Sequence, residues 1–122
     1  MSEHYILKGK KAVKVDLITW AKWFEYNHDK RRVAHDIIRE VEISTVFLGL
    51  DHRFGEGPPL IFETMIFGGE HSEYQCRYTA YFEAMDGHRR AVLKVMRSFK
   101  VLGWFNNSVF DNLEGDSHGE KR

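Results

Sequence analysis

The sequence predicts an α+β fold in which an antiparallel sheet of four to six strands carries two amphipathic helices on one face. Three observations lead to that prediction. Apolar residues recur at helical spacing in two segments only. Strand-like segments follow one another through the middle of the chain, and a doubly wound parallel sheet would need strands that alternate with helices. The length of 122 residues is that of one domain.

Composition excludes several classes of protein. The chain has 18 Lys and Arg against 18 Asp and Glu, and such a neutral balance argues against a general nucleic-acid binder. No run reaches the about 18–20 apolar residues of a membrane helix, and the N-terminus has no apolar secretory segment. One cysteine forms no internal disulfide and no two-cysteine zinc pattern. We therefore expect a cytoplasmic protein with no metal and no cofactor.

The first elements are a hairpin and a helix. Two short alternating runs flank Gly9, which suits a tight turn. Asp16 has the side chain of a helix N-cap, and an apolar stripe follows it, so we expect a helix over about residues 16–27. Trp23 lies about 60° from that stripe. It is either a flank of a wide apolar face or an exposed interface residue.

The middle of the chain predicts strands separated by a long loop. The stretch 31–50 is either one bent strand or two strands joined by a turn near Arg39 and Glu40. Two glycines and both prolines of the chain fall in the segment 51–59, which therefore forms a loop. Further strands are expected over residues 60–67 and 74–78.

The last predicted element is a helix over about residues 80–99, with Thr79 as its N-cap. Gly87 interrupts its apolar stripe at a cost of up to about 1 kcal/mol. We expect one α+β domain over residues 1–103 and a tail over 104–122 that is polar and flexible at its end. The residues expected to dock the start of that tail are Trp104, Phe105, Val109 and Phe110.

A resemblance to a known family rests on the motif STVFLGLDHRFGEGPPLIFETM at residues 44–65. With the segments around Trp20–Glu25 and Tyr78–His88, the sequence resembles a family of small, functionally uncharacterised proteins of tailed bacteriophages and prophages. The resemblance covers about residues 4–95. It implies a phage gene product made in the bacterial cytoplasm, and it implies no catalytic residue.

The loop and the strand after it contain the candidate binding residues. The set is Asp51, His52, Arg53, Phe54, Glu56 and Glu63. In a functional interpretation Asp51 orients His52 as a general base, or both join Glu63 around a metal or a small ligand. In a structural interpretation Asp51 caps the loop through an Asx-turn, and Glu63 pairs with a nearby arginine. Residue types and spacing favour the structural interpretation.

Two basic groups form a weaker candidate nucleic-acid surface. The first group is Lys8, Lys10, Lys11 and Lys14, and the second is Lys30, Arg31 and Arg32. Such groups can contact phosphates, and nearby aromatic residues can add stacking surfaces, but lysines on a hairpin more often form a solvated edge.

These observations favour a non-enzymatic accessory protein that binds a host or phage protein, such as a host-takeover or anti-defence factor. Catalysis is not favoured, because Cys76 and Ser44 lack the neighbouring motifs of a nucleophile. The alternatives are a small-ligand domain or enzyme at Asp51, His52 and Glu63, and a nucleic-acid accessory protein. Homo-oligomerisation is permitted, and we expect a protein partner in the cytoplasm of a bacterial host.

Overall fold

The computed structural model describes residues 3–101, with the side chains of residues 3–99, and it has an α+β fold of two helices and two antiparallel sheets. A short 3₁₀ helix at Asp29–Arg31 joins the two halves of this part of the chain. The strands and helices are, in order, β1 His4–Lys8, β2 Lys11–Val15, α1 Leu17–Tyr26, β3 Arg32–Ile38, β4 Val41–Phe47, β5 Phe62–Phe67, β6 Gln75–Tyr78 and α2 Tyr81–Val101. No helix in this part is long and apolar enough to cross a membrane.

The N-terminal hairpin and α1 form as the sequence predicts. Strands β1 and β2 pair in an antiparallel ladder, and Gly9 takes the positive φ of 63° that its turn requires. Asp16 caps α1, because its Oδ1 accepts a hydrogen bond of 2.8 Å from the N–H of Thr19. These two elements pack together at one end of the larger sheet.

The larger sheet is a meander in the order β3-β4-β5-β6, with every pair antiparallel. Strand β4 alternates between buried and half-buried residues. Its buried face, with Ile43 and Thr45, pairs across to the buried residues of β5 and lies under α2, which packs on all four strands. The alternation of period two therefore places the core on one side of the sheet.

The stretch 31–50 is two strands and not one bent strand. Arg39 and Glu40 form the turn between β3 and β4, with φ values of 48° and 74°. Positive φ at both residues of a two-residue hairpin loop matches the right-handed twist of the flanking strands. This geometry resolves the alternative that the sequence left open.

The prediction of a single sheet is met only roughly. The hairpin forms a separate two-stranded sheet, linked to the end of β4 by a bridge between His4 and Leu50 and by a 2.8 Å bond from Tyr5 N–H to the Gly49 carbonyl. Within the described residues, α1 packs on β1 and α2 on the larger sheet.

Helix α2 begins at Tyr81, and its N-terminal cap differs from the prediction. The carboxylate of Glu83 accepts hydrogen bonds from the N–H groups of Thr79 and Ala80, at 3.2 and 3.0 Å. Ala84 N–H donates to the Ala80 carbonyl, so the helical ladder starts from Ala80. Glu83 thus supplies the cap expected from Thr79. The predicted tail at 104–122 lies outside the described residues.

Candidate functional site

A groove of about 620 Å³ lies between the tip of the hairpin, the strand approach to β5 and the first turns of α2. Its floor is apolar and includes Ile61 and Phe62, which are buried. The residues that line it are Tyr5, Lys10, Lys11, Ala12, Pro59, Ile61, Phe62, Thr79, Ala80, Tyr81, Phe82 and Met85. This volume is in the range of sites that hold a small molecule or several side chains of a partner.

Three large side chains of α2 form one wall of the groove. Phe82 is 74 % exposed and Met85 is 44 % exposed, whereas Tyr81 is half-buried with its ring edge-on to Phe62 at 6.0 Å. Neighbours three and four positions apart share a helix face. Phe82 and Met85 lie off the buried stripe of Ala84 and Ala91 that packs on the sheet, so α2 presents both to the groove, whereas Tyr81 also packs against the core.

The charged side chains that line the groove are all basic. Lys10 and Lys11 come from the hairpin turn and β2. The Lys10 ammonium lies 5.7 Å from the centre of the Tyr81 ring, which is within the range of a cation–π contact. The groove is therefore apolar on its floor and positive at the hairpin rim.

A second groove of about 680 Å³ lies on the other side of Phe82, between β6 and α2. Its charged residues are of both signs, and Asp86 pairs there with Arg90. Phe82 thus forms a ridge shared by two depressions. A partner that surrounds Phe82 would contact both of them.

Asp51 organises the loop at 51–59. Its Oδ1 accepts hydrogen bonds from the N–H groups of Arg53 and Leu60, at 2.9 and 3.0 Å, and its Oδ2 lies 2.8 Å from the Arg53 guanidinium. Burial acts to raise the pKa of Asp51, but these two N–H groups and the guanidinium outweigh it and lower that pKa below its usual range. The structural interpretation of Asp51 accounts for every one of these contacts.

Glu63 belongs to a different network on the half-buried face of β5. Its carboxylate accepts hydrogen bonds from Gln75, at 2.6 Å, and from Arg77, at 3.0 Å, both on β6. Cross-strand pairing of residues 63 and 77 makes this contact a consequence of register. The carboxylate is thus an element of sheet pairing, as one of the two interpretations proposed.

The remaining candidates of the loop are exposed to solvent. Phe54 is fully exposed, and the side chains of His52 and Glu56 are exposed beside it. Within residues 3–101 no hydrogen bond joins Asp51, His52 and Glu63, and no group of three acidic, histidine or cysteine residues is arranged to hold a metal. The structure therefore does not bring these three side chains together.

Trp23 is a flank of the core rather than a fully exposed side chain. Its ring is half-buried and meets Phe47 edge-on, with 5.8 Å between the ring centres. A second contact with Phe24 holds the same ring. These contacts make packing its first role.

The two basic groups lie in different parts of the fold. Lys14 of the first group forms a 3.0 Å ion pair with Glu3, whereas Lys10 and Lys11 line the groove. The second group lies in the 3₁₀ helix and at the start of β3, where the Arg31 guanidinium stacks on Phe24. Strand β3 is the edge of the sheet opposite to β6. The structure does not merge the two groups into one surface.

A buried chain of hydrogen bonds passes beneath α2. His88 Nε2 lies 2.8 Å from the Asp36 carboxylate, and His88 Nδ1 lies 2.7 Å from the Thr45 hydroxyl. From Thr45 the chain continues to Thr64, at 2.6 Å, and to the Tyr78 hydroxyl, at 3.1 Å. If the Tyr78 hydroxyl donates to Thr64, Thr64 to Thr45 and Thr45 to His88 Nδ1, each hydroxyl donates once. His88 Nδ1 is then an acceptor, and Nε2 carries the hydrogen that is donated to Asp36. Burial raises the pKa of Tyr78 well above its usual range, so its hydroxyl remains a donor.

The hydrogen-bonded series of Asp36, His88 and Thr45 has the residue types of a catalytic triad, but a substrate cannot reach its hydroxyl group. Thr45 has no exposed surface, and His88 is buried beneath α2. A nucleophile must reach the substrate, so the series satisfies buried polar groups and joins α2 to the sheet. These contacts make His88 a hydrogen-bonded histidine of the core.

The sequence interpretation missed the wall of the groove. The signal lay in Phe82 and Met85, which are apolar but fall off the long stripe of α2. Phe82 and Met85 line the groove together with Lys10, which is more than 70 positions away in the sequence, so no local pattern predicts the groove.

Comparisons with known proteins give no match. No protein-family model matches the chain, and neither a curated protein nor a solved structure was found to match it. The resemblance to tailed-phage proteins therefore stays a prediction.

Proposed function

We propose that this protein acts by binding another protein at the groove between the hairpin and α2, without catalysing a reaction. The observation that carries the proposal is the exposure of Phe82 on a ridge between two depressions. Exposed aromatic and methionine side chains are enriched at the centres of protein interfaces. In the phage setting implied by the resemblance, the partner is a host or phage protein in the bacterial cytoplasm.

Protein binding is favoured over the other two hypotheses for physical reasons. A small-ligand site or enzyme at Asp51, His52 and Glu63 would need convergent side chains, whereas Asp51 and Glu63 are engaged in separate networks. A nucleic-acid surface would need a continuous basic strip, and the two basic groups lie apart. Protein binding at the groove requires neither convergent polar side chains nor a continuous basic strip.

Affinity capture with matched surface variants tests the proposal. The tagged full-length chain is used to capture proteins from a nuclease-treated bacterial lysate, as the wild type, as Phe82→Ser and as Phe54→Ser. Both substitutions remove an exposed phenylalanine, so both proteins should melt near the wild-type temperature. We expect one stoichiometric partner with the wild type and Phe54→Ser, and its loss with Phe82→Ser.

Other patterns of capture would place the binding site elsewhere or contradict protein binding. Loss of the partner only with Phe54→Ser would assign binding to the loop at 51–59. A wild-type protein that captures no partner would contradict the protein-binding function itself.

A further inference from the structure

We infer that the groove takes a segment of the partner in which an apolar side chain lies next to one or more carboxylates. The inference rests on the proposed function and specifies the chemistry of the partner. It follows from the sign of the charges around the groove and from the exposed apolar side chains of its wall.

The charges around the groove favour a partner with carboxylates. Lys10 and Lys11 are exposed, and no acidic residue is among those that line the groove. Lys8 is the cross-strand partner of Lys11, so a third positive charge stands directly opposite the second. Within residues 3–101 none of these three lysines forms an ion pair, whereas Lys14 on the same hairpin pairs with Glu3.

Like charges directly opposite in a hairpin repel each other and destabilise it. A carboxylate that approaches between Lys8, Lys10 and Lys11 removes that repulsion. The hairpin tip therefore gains from an anionic partner, in contrast to the Lys14 end, which already has its carboxylate.

Large apolar side chains of the groove wall are exposed beside this positive charge. Phe82 and Met85 are exposed where Ile61 and Phe62 lie buried beneath them. A side chain such as Leu, Phe or Trp would remove the exposed surfaces of Phe82 and Met85 from water, at about 25 cal/mol for each Å² buried. A purely ionic ligand would leave the apolar wall uncovered.

An acidic peptide suits the groove better than a nucleic acid does. Nucleic-acid binding draws its affinity from many phosphate contacts, and proteins that bind DNA tightly make about 6–10 of them. The hairpin tip offers only three lysines, Lys8, Lys10 and Lys11, among the residues that the structure describes there. Three lysines suffice for one or two carboxylates but supply fewer contacts than such a run of phosphates requires.

The test is selection from a random twelve-residue peptide display library on the immobilised full-length protein. The most enriched peptide is then synthesised with a fluorescent label, and its Kd is measured by anisotropy at low and moderate salt. The variants are Lys10→Gln with Lys11→Gln, Phe82→Ser, and a control, Lys22→Gln with Lys30→Gln. The control pair removes the same charge from exposed lysines in α1 and in the 3₁₀ helix.

We expect selected peptides in which Asp or Glu flanks a large apolar residue. The Lys10→Gln, Lys11→Gln protein should bind the labelled peptide about tenfold more weakly and with less dependence on salt, because two exposed ion pairs are lost. Phe82→Ser should weaken binding with the salt dependence unchanged. The control pair should bind like the wild type.

Four results would overturn the inference. Selected peptides that are neutral, and whose binding needs Phe82 but not the lysines, would leave a protein-binding groove without acidic preference. No selection above background would remove the peptide specificity, and the capture experiment would still decide the proposed function. Competition by a twenty-residue oligothymidylate, with the same salt dependence, would assign the groove to nucleic acid. A homodimer in sedimentation velocity that Phe82→Ser dissociates would assign it to a second copy of the chain.

Discussion

The hydroxyl group of Tyr78 occupies the position at which Gly87 would carry a β-carbon. Gly87 is buried in the middle of α2, where glycine is unfavourable by up to about 1 kcal/mol relative to alanine. The close approach explains this choice, because it lets the Tyr78 ring pass under the helix and its hydroxyl reach Thr64. Glycine at position 87 lowers helix propensity, but it makes room for the buried hydrogen bond between Tyr78 and Thr64.

Gly87→Ala is therefore expected to destabilise the protein although it raises helix propensity. The new methyl group overlaps a buried ring, and overpacking of this kind costs about 1–3 kcal/mol. The free energy of unfolding in urea measures the effect. In a Tyr78→Ala background the same substitution should cost much less, since the ring that it meets is gone. Equal costs in both backgrounds would contradict the proposed overlap.

Thr45→Val is expected to lower the free energy of unfolding by about 1–3 kcal/mol. Valine has nearly the shape of threonine but leaves His88 Nδ1 without its donor and the Thr64 hydroxyl without an acceptor. Thr45→Ser is the matched control, because it keeps the hydroxyl and removes one methyl group, worth about 0.8 kcal/mol. Should valine prove no more harmful than serine, the buried hydrogen bonds would add little to stability.

Asp51→Asn is expected to destabilise the protein by about 1–2 kcal/mol at pH 7, through loss of charge-assisted hydrogen bonds. Because the folded-state pKa of Asp51 lies below its usual value, ionised Asp51 stabilises the fold above the unfolded pKa, near about 3.9. This contribution is lost as the pH falls through the lower, folded-state pKa.

The difference between wild type and Asp51→Asn should therefore be largest near neutral pH and shrink below about pH 4. Urea unfolding across that range measures it. Glu56→Gln is the control at pH 7, since it removes a carboxylate from the same exposed loop without touching the bonds to Leu60. A difference that grows as the pH falls would contradict the assigned sign.

Local patterns predicted the elements whose burial repeats along the chain. In β4, the alternation of Val41, Ile43 and Thr45 with half-buried neighbours follows directly from strand geometry. The cap at Asp16 was equally local, because the acceptor and the Thr19 donor lie three residues apart. Such features need no knowledge of distant contacts.

The groove could not be predicted in the same way. Its rim at Lys10 and its wall at Tyr81 come together only because the hairpin docks at the end of the sheet where α2 begins. Likewise, Gly87 was unfavourable by propensity alone, and only the position of the Tyr78 ring explains it. The groove and the glycine at position 87 both depend on tertiary contacts, which the spacing of residues along the chain does not reveal.

The turn between β3 and β4 gives a last prediction, in which a substitution stabilises the protein. Glu40 has a φ of 74°, where the β-carbon of an L-residue costs about 1–2 kcal/mol. Glu40→Gly removes that β-carbon, but glycine also gains entropy in the unfolded chain. We expect a net gain of about 0.5–1 kcal/mol in the free energy of unfolding. Glu40→Ala is the matched control, because it removes the charge and keeps the β-carbon. An equal gain with alanine would attribute the effect to charge, whereas a gain with glycine alone would assign it to backbone strain in this turn.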